Sequence, residues 1–133
     1  MSTSDHPKVR VLVVDDHELT RFSLSLALQN QTDLELAGLA SNGKEAIDMV
    51  RQYQPDVIVM DLQMPVMDGL SASTQIKTLH PHIKILAYSS LEDPQTEVMV
   101  QTAKIDAFCK KETNTEDLIR LVRQLGQQAA NNL

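Results

Sequence analysis

Three aspartates in this 133-residue chain stand where strand-forming runs stop. Asp15 and Asp16 follow the apolar run "VLVV", and Asp61 follows "VIVM". In an open parallel α/β sheet, ligands bind outside the carboxyl ends of the strands, so carboxylates placed there converge when their strands are neighbours. Two unit charges about 4 Å apart repel by roughly 4 kcal/mol at an effective dielectric near 20. Three left alone are badly destabilising. A hard divalent cation is the natural offset, because Mg²⁺ takes one or two carboxylates, keeps several waters and favours a phosphate as a further ligand. Ser89 ends "KILAYS" with a hydroxyl that can donate to a phosphate oxygen, and Lys111 follows "AFCK" with an ammonium at the same edge. An aspartate nucleophile, a divalent ion, a lysine and a hydroxyl donor suit phosphoryl transfer, which depends mostly on positioning and charge neutralisation.

Such residues converge only if the chain alternates strands and helices, and its pattern does so. Strands are predicted at Val9–Val14, Leu34–Ala40, Val57–Met60, Ile83–Tyr88 and Ala107–Cys109. The first, third and fourth are rich in Val and Ile without polar alternation, as strands covered on both faces should be. Between them, Gly43, Ala46, Ile47 and Val50 form an i, i+3, i+4, i+7 stripe, and so do Leu118, Leu121, Val122 and Leu125. Asn42 with Glu45, and Asn114 with Asp117, are expected to cap these two helices. Five βα repeats require right-handed crossovers and a parallel sheet with helices on both faces. A helix over Pro94–Ala103 has the weakest periodicity. Residues 1–8 and the tail after Gly126 are expected to fray.

The bulk numbers narrow the class. The length suits one domain with a real core. Eighteen acidic against twelve basic residues give a net charge of −6, which argues against this domain gripping nucleic acid unaided. The single cysteine, Cys109, excludes a disulfide framework within the chain and fits a reducing compartment. No apolar run approaches the roughly 18 residues of a membrane span, and the polar start "MSTSDHPK" lacks a signal peptide's apolar segment. A cytoplasmic protein without membrane attachment is expected.

The stretches "VLVVDDH", "VIVMDLQMPVMDG", "ILAYSS" and "AFCKKE" occur in order, and through them the chain resembles the receiver domain of bacterial two-component response regulators over residues 9–128. The resemblance implies a flavodoxin-like (βα)5 sandwich whose parallel sheet runs 2-1-3-4-5. It implies that Asp61 is the phosphoacceptor, and that Asp16 (directly), Asp15 (through water), Asp61 and the backbone carbonyl of Gln63 hold Mg²⁺ or Mn²⁺. Ser89 and Lys111 would bind the acyl phosphate, and Phe108 stands where the family places its switch aromatic. Pro65, Met67 and Gly69 match the loop after the acceptor. The implied donor is a sensor histidine kinase or phosphotransfer protein, and a homodimer is among the implied partners. "DLELAGLASNGKEA" and "DDH" look most like the NarL/FixJ branch, which implies control of transcription through an output domain absent from this chain. By this resemblance the chain is a signalling phosphoacceptor that catalyses its own phosphorylation and dephosphorylation, not an enzyme acting on other substrates.

Some residues depart from the pattern. Lys104-Ile105 stands where many receivers have Gly-Ala, and a lysine in a left-handed turn costs about 1 kcal/mol. Glu112 replaces the proline that often follows the lysine, and a cis bond to it would cost roughly 3 kcal/mol, so trans is expected. Gln63 and Leu91 should flank the path of attacking water, and an apolar Leu91 implies slow self-dephosphorylation.

Blander readings compete at each position. Asp15 and Asp16 could cap the first helix, Asp68-Gly69 could make a hairpin turn instead of a loop into a helix, and a strand-end Ser89 could be satisfied by backbone. Lys110 competes with Lys111, although strand alternation points the two to opposite faces. Cys109 reads as a small buried hydrophobe, His80 and His82 as exposed loop residues, and His17 as a helix-start residue near the site. Met60, Met64 and Met67 read as core filling. Phe22 and Leu26 fit the core, whereas Leu24 and Leu28 widen that helix's apolar stripe towards a partner surface. Among other functions, a flavin or nucleotide module would need a glycine-rich cradle after the first strand, where "DDHEL" repels phosphate. A scaffold-only domain would need none of the five polar groups. A phosphatase would need a second acid two residues after Asp61, where Gln63 stands.

Overall fold

The computed structural model describes residues 8–64, 66–89 and 104–131. Within them lie five strands: β1 (Val9–Val14), β2 (Leu34–Ala40), β3 (Val57–Asp61), β4 (Lys84–Ser89) and β5 (Ala107–Lys110). Four helices accompany them: α1 (Glu18–Gln29), α2 (Gly43–Tyr53), α3 (Gly69–Leu79) and α4 (Thr115–Asn131). The strands form one parallel sheet in the order β2-β1-β3-β4-β5. This is the expected flavodoxin-like sandwich. Pro65, Leu91 and the helix expected at Pro94–Ala103 lie outside the described residues.

Alternate residues of the central strands feed two cores. Val11, Val13 and Val59 pack with Leu24 and Leu28 of α1 and with Leu118, Val122 and Leu125 of α4. Leu12, Val14, Ile58 and Met60 pack on the opposite face with Ala46 and Val50 of α2 and Ala72 and Ile76 of α3. Because both faces are covered, these strands read as continuous apolar runs. The helix starts follow their capping residues. Asn42 Oδ1 accepts the Glu45 amide at 2.9 Å, and Asn114 Oδ1 accepts the Asp117 amide at 2.9 Å. The Glu45 carboxylate returns to the Ser41 amide (2.8 Å), one residue before the position a capping box would use. Asp68 caps α3 through the Ser71 amide, so Asp68-Gly69 opens a helix and not a hairpin.

Three expectations are corrected. On α1 the inward residues are Leu24 and Leu28, while Phe22 and Leu26 are 57% and 47% exposed. Both pairs have i, i+4 spacing, so periodicity cannot choose between them, and the polar Ser25 weighs against the face that is in fact buried. Its hydroxyl donates to the Phe22 carbonyl at 2.7 Å, which satisfies it inside and removes that objection. Where a fraying tail is expected after Gly126, α4 continues to Asn131 with Ala129 buried. Strands β3, β4 and β5 each run one residue further than expected, to Asp61, Ser89 and Lys110.

Lys104 adopts φ 58°, the left-handed turn expected before β5. No peptide bond among the described residues is cis, Lys111–Glu112 included. Because Lys104 is exposed, replacing it removes strain without opening the core. Lys104→Gly is expected to stabilise the fold by about 1 kcal/mol in chemical denaturation. A loss of stability would show that the lysine side chain itself holds the turn.

Candidate functional site

The carboxyl edge of the sheet gathers the polar residues one by one. Asp15 leaves β1 wholly buried, its amide bound to the Ala40 carbonyl at 3.0 Å. Its own carbonyl accepts Arg21 Nη1 at 2.7 Å, and its Oδ1 accepts the His17 amide at 2.8 Å. These bonds tie the acid loop to the start of α1. His17, not either aspartate, is the α1 N-cap residue, and it makes no side-chain capping bond. Asp61 ends β3 at 1% exposure, with its Oδ1 accepting the Gln63 amide at 3.0 Å. Ser89, equally buried, ends β4, and its carbonyl accepts the Lys111 amide at 3.0 Å. Lys111 Nζ lies 3.2 Å from Asp15 Oδ2 and 3.3 Å from Asp61 Oδ2. Lys110 pairs in register with Ser89 but is exposed.

The acceptor loop is held by close backbone packing. A Cβ on Gly69 would overlap the Asp61 carbonyl oxygen, and one on Gly43 would stand 2.7 Å from the Met67 carbonyl oxygen. Only hydrogen fits at either place. Gly69 thus lets the start of α3 press against the end of β3. Met64 and Met67 pack on the α2–α3 core, as core filling requires.

The electrostatics follow from burial and neighbours. Burial pushes the Asp61 carboxyl above its ordinary 3.8, and the Asp15 charge adds to this, while the Gln63 amide and Lys111 oppose it. Burial works against the Lys111 charge, but Asp61 and Asp15 outweigh it and raise the ammonium above its ordinary 10.5. Lys111 therefore stays charged at neutral pH. Asp15 Oδ2 and Asp16 Oδ1 are buried without hydrogen-bond partners. Lys111 Nζ, 3.2 Å from Asp15 Oδ2, gives that oxygen a charged partner. Ligand atoms of Asp15, Asp16, His17 and Asp61 lie within 4.8 Å of one another. Three carboxylates with ligand atoms in so small a space, answered by one lysine, fit a divalent cation with oxygen ligands.

The structure thus brings Asp15, Asp16, Asp61 and Lys111 together and sets Ser89 at the end of the adjoining strand. Phe108 is half-buried on β5 opposite Ala87. Cys109 is buried, its thiol pushed up to about 11 by desolvation, which fits a packing role. His82 is exposed and His80 partly so. Two contacts escaped the sequence reading. The His17 ring touches both neighbouring carboxylates, at 3.0 Å from Asp15 Oδ1 and 3.2 Å from Asp16 Oδ1. The Tyr88 ring lies beneath the Lys111 ammonium, 5.2 Å from Nζ to its centroid. A tyrosine inside an otherwise apolar strand was the available signal for the second, because its hydroxyl needs a polar rim.

The sequence profile of the response regulator receiver domain matches residues 11–123. The chain belongs to this family. Receiver domains are the phosphoacceptor modules of two-component response regulators, and they bind Mg²⁺ in an acidic pocket. The response regulator VraR of Staphylococcus aureus is 40% identical over 116 residues, covering 87% of this chain and 56% of VraR. This receiver thus spans a little over half the length of the curated relatives it matches. Among solved structures, the signal receiver domain of NarL from Mycobacterium tuberculosis superposes with a TM-score of 0.87 at 25% identity, covering 92% of this chain and 98% of that one. The response regulator domain of Thermotoga maritima CheB gives 0.82 at 27% identity, covering 90% and 97%. VraR and NarL support the NarL/FixJ-like branch. Among the described residues, no helix of this receiver is long and apolar enough to cross a membrane.

Proposed function

We propose that this receiver takes a phosphoryl group onto Asp61 from the phosphohistidine of a sensor kinase or phosphotransfer protein, and that the modification switches a partner or dimer surface. The supporting observation is the position of Lys111 between the buried carboxylates of Asp15 and Asp61, at 3.2 and 3.3 Å, with Asp16 beside them in the same acidic cluster. That arrangement is costly in a resting protein and useful when a phosphoryl group arrives. Asp15, Asp16, Asp61 and the Gln63 backbone carbonyl would hold Mg²⁺ (or Mn²⁺), which when bound neutralises the charge of the incoming phosphoryl oxygens.

An Asp61 carboxylate oxygen attacks phosphorus, forming an O–P bond as the P–N bond to the donor imidazole breaks. The imidazole nitrogen keeps the electron pair and takes a proton from solvent. Lys111 then moves from Asp61 Oδ2 to a phosphoryl oxygen while remaining paired with Asp15. Ser89 donates its hydroxyl to another phosphoryl oxygen, and Phe108 repacks as the end of β4 shifts. Moving such a switch from about 1:99 to 99:1 requires the phosphoryl group to favour the active state by roughly 5.5 kcal/mol. The same chemistry with a small acyl phosphate needs no kinase, so this receiver would catalyse its own phosphorylation. The output read from this branch is control of transcription, through an output domain that this chain does not contain. The acidic net charge argues against nucleic-acid contact by this domain itself.

Acetyl phosphate with Mg²⁺, followed by intact-mass measurement, is expected to add one phosphoryl group to the wild type and none to Asp61→Asn. An unmodified wild type, or equal labelling of Asp61→Asn, removes this reading.

A further inference from the structure

We propose that His17 is an additional, nitrogen ligand of the cation site and biases it from Mg²⁺ towards first-row transition ions such as Mn²⁺ and Co²⁺. This deepens the proposed function and rests on it. His17 Nδ1 stands 3.0 Å from Asp15 Oδ1 and 3.2 Å from Asp16 Oδ1. Two donors at right angles on an ion with bonds of about 2.1 Å stand about 3.0 Å apart. His17 Nδ1 is therefore already at the spacing of an adjacent ligand from each carboxylate oxygen, and all four residues of the cluster can offer a ligand atom within the same 4.8 Å.

Two further observations point the same way. The Asp15 side chain is wholly buried, with its Oδ2 3.2 Å from Lys111 Nζ, and Asp16 Oδ1, the oxygen beside the His17 ring, is buried without a hydrogen-bond partner. His17 sits at the α1 N-cap in extended backbone (φ −92°, ψ 117°), yet its ring makes no capping bond. The imidazole is thus not committed to holding the helix, and it leans on the carboxylates while its outer part stays in solvent, 65% exposed. The same short Asp15-Asp16-His17 turn fixes both donor types, because the His17 amide is bound to Asp15 Oδ1 at 2.8 Å.

Oxygen-only coordination suits Mg²⁺, which gains nothing from imidazole. Mn²⁺, and Co²⁺ more strongly, accept nitrogen donors. The competing account is that His17 serves only as a cationic counter-charge to the two aspartates. Removing a counter-charge strengthens binding of every divalent ion alike and leaves their ratio unchanged, whereas removing a ligand weakens Co²⁺ and Mn²⁺ selectively.

The test is calorimetric titration of metal-free wild type and His17→Ala at neutral pH with MgCl₂, MnCl₂ and CoCl₂, together with the visible absorption spectrum of the Co²⁺ form. His17→Ala is expected to lower the Co²⁺-to-Mg²⁺ affinity ratio at least tenfold and the Mn²⁺-to-Mg²⁺ ratio less, and to change the Co²⁺ spectrum. Equal ratios in the two proteins, or an unchanged spectrum, overturn the assignment. His17→Gln, which removes the nitrogen ligand while keeping a polar side chain, serves if His17→Ala does not fold, with the same outcomes. Wild type that binds Mg²⁺ with unaltered ratios in the variant defeats only the role of His17, whereas wild type that binds no divalent ion defeats the functional reading itself.

Discussion

Asp61→Asn is expected to make the metal-free protein more stable at neutral pH while abolishing its phosphorylation. Asp61 is 1% exposed, and burial together with the Asp15 charge holds its carboxyl above the ordinary 3.8. A raised carboxyl pKa means that the folded state holds the proton more tightly than the unfolded chain. The penalty is therefore absent below about pH 3.8, where both states are protonated, and it grows as pH rises to the folded value. Removing the charge leaves Lys111 still paired with Asp15 at 3.2 Å. The gain should be of order 1 kcal/mol at neutral pH and should vanish in acid. Urea denaturation at several pH values measures it. A variant less stable than the wild type at neutral pH would mean that the Lys111 and Gln63 contacts outweigh the cost of burial.

Lys111→Met should have the opposite sign and the larger size. Its ammonium serves two buried carboxylates, at 3.2 and 3.3 Å, and methionine keeps much of the stem's volume while removing the charge. Breaking a buried pair by deleting one partner costs about 3–5 kcal/mol. Lys111 retains 22% side-chain exposure, so a loss near the low end, about 3 kcal/mol, is expected. The same denaturation experiment reads it. The Lys111→Met/Asp61→Asn double variant should recover more than the gain from Asp61→Asn alone, because only Asp15 then remains unneutralised by the lysine. If the two effects simply add, Lys111 and Asp61 are not coupled and the charge argument fails.

Most of this architecture is legible in the residues. Val11–Val14 and Val57–Met60 announce doubly covered strands, and a parallel sheet then carries Asp15 and Asp61 to one edge, as β1–β3 pairing shows. Strand alternation separates Lys110 from Lys111, and the structure places the first in solvent and the second among the carboxylates. What the pattern hides are decisions made by single contacts. The buried face of α1 includes the polar Ser25, which the pattern cannot know is satisfied by the Phe22 carbonyl. The end of α4 was obscured by a glycine that reads as a stop signal. At Gly126 a Cβ would stand 2.6 Å from the Val9 side chain, so that glycine serves close helix–strand packing and not termination. The part His17 plays depends on the geometry of a three-residue turn, which no periodicity encodes.

The most direct measurement is a calorimetric titration of metal-free protein with Mg²⁺, set beside thermal unfolding with and without the ion. One saturable site per chain is expected, weakened in both Asp16→Asn and Asp61→Asn. At ten times the dissociation constant the ion should stabilise the wild type by about 1.4 kcal/mol. No Mg²⁺ uptake, or uptake indifferent to both substitutions, would contradict the claim that these clustered carboxylates exist to hold a cation beside an incoming phosphoryl group.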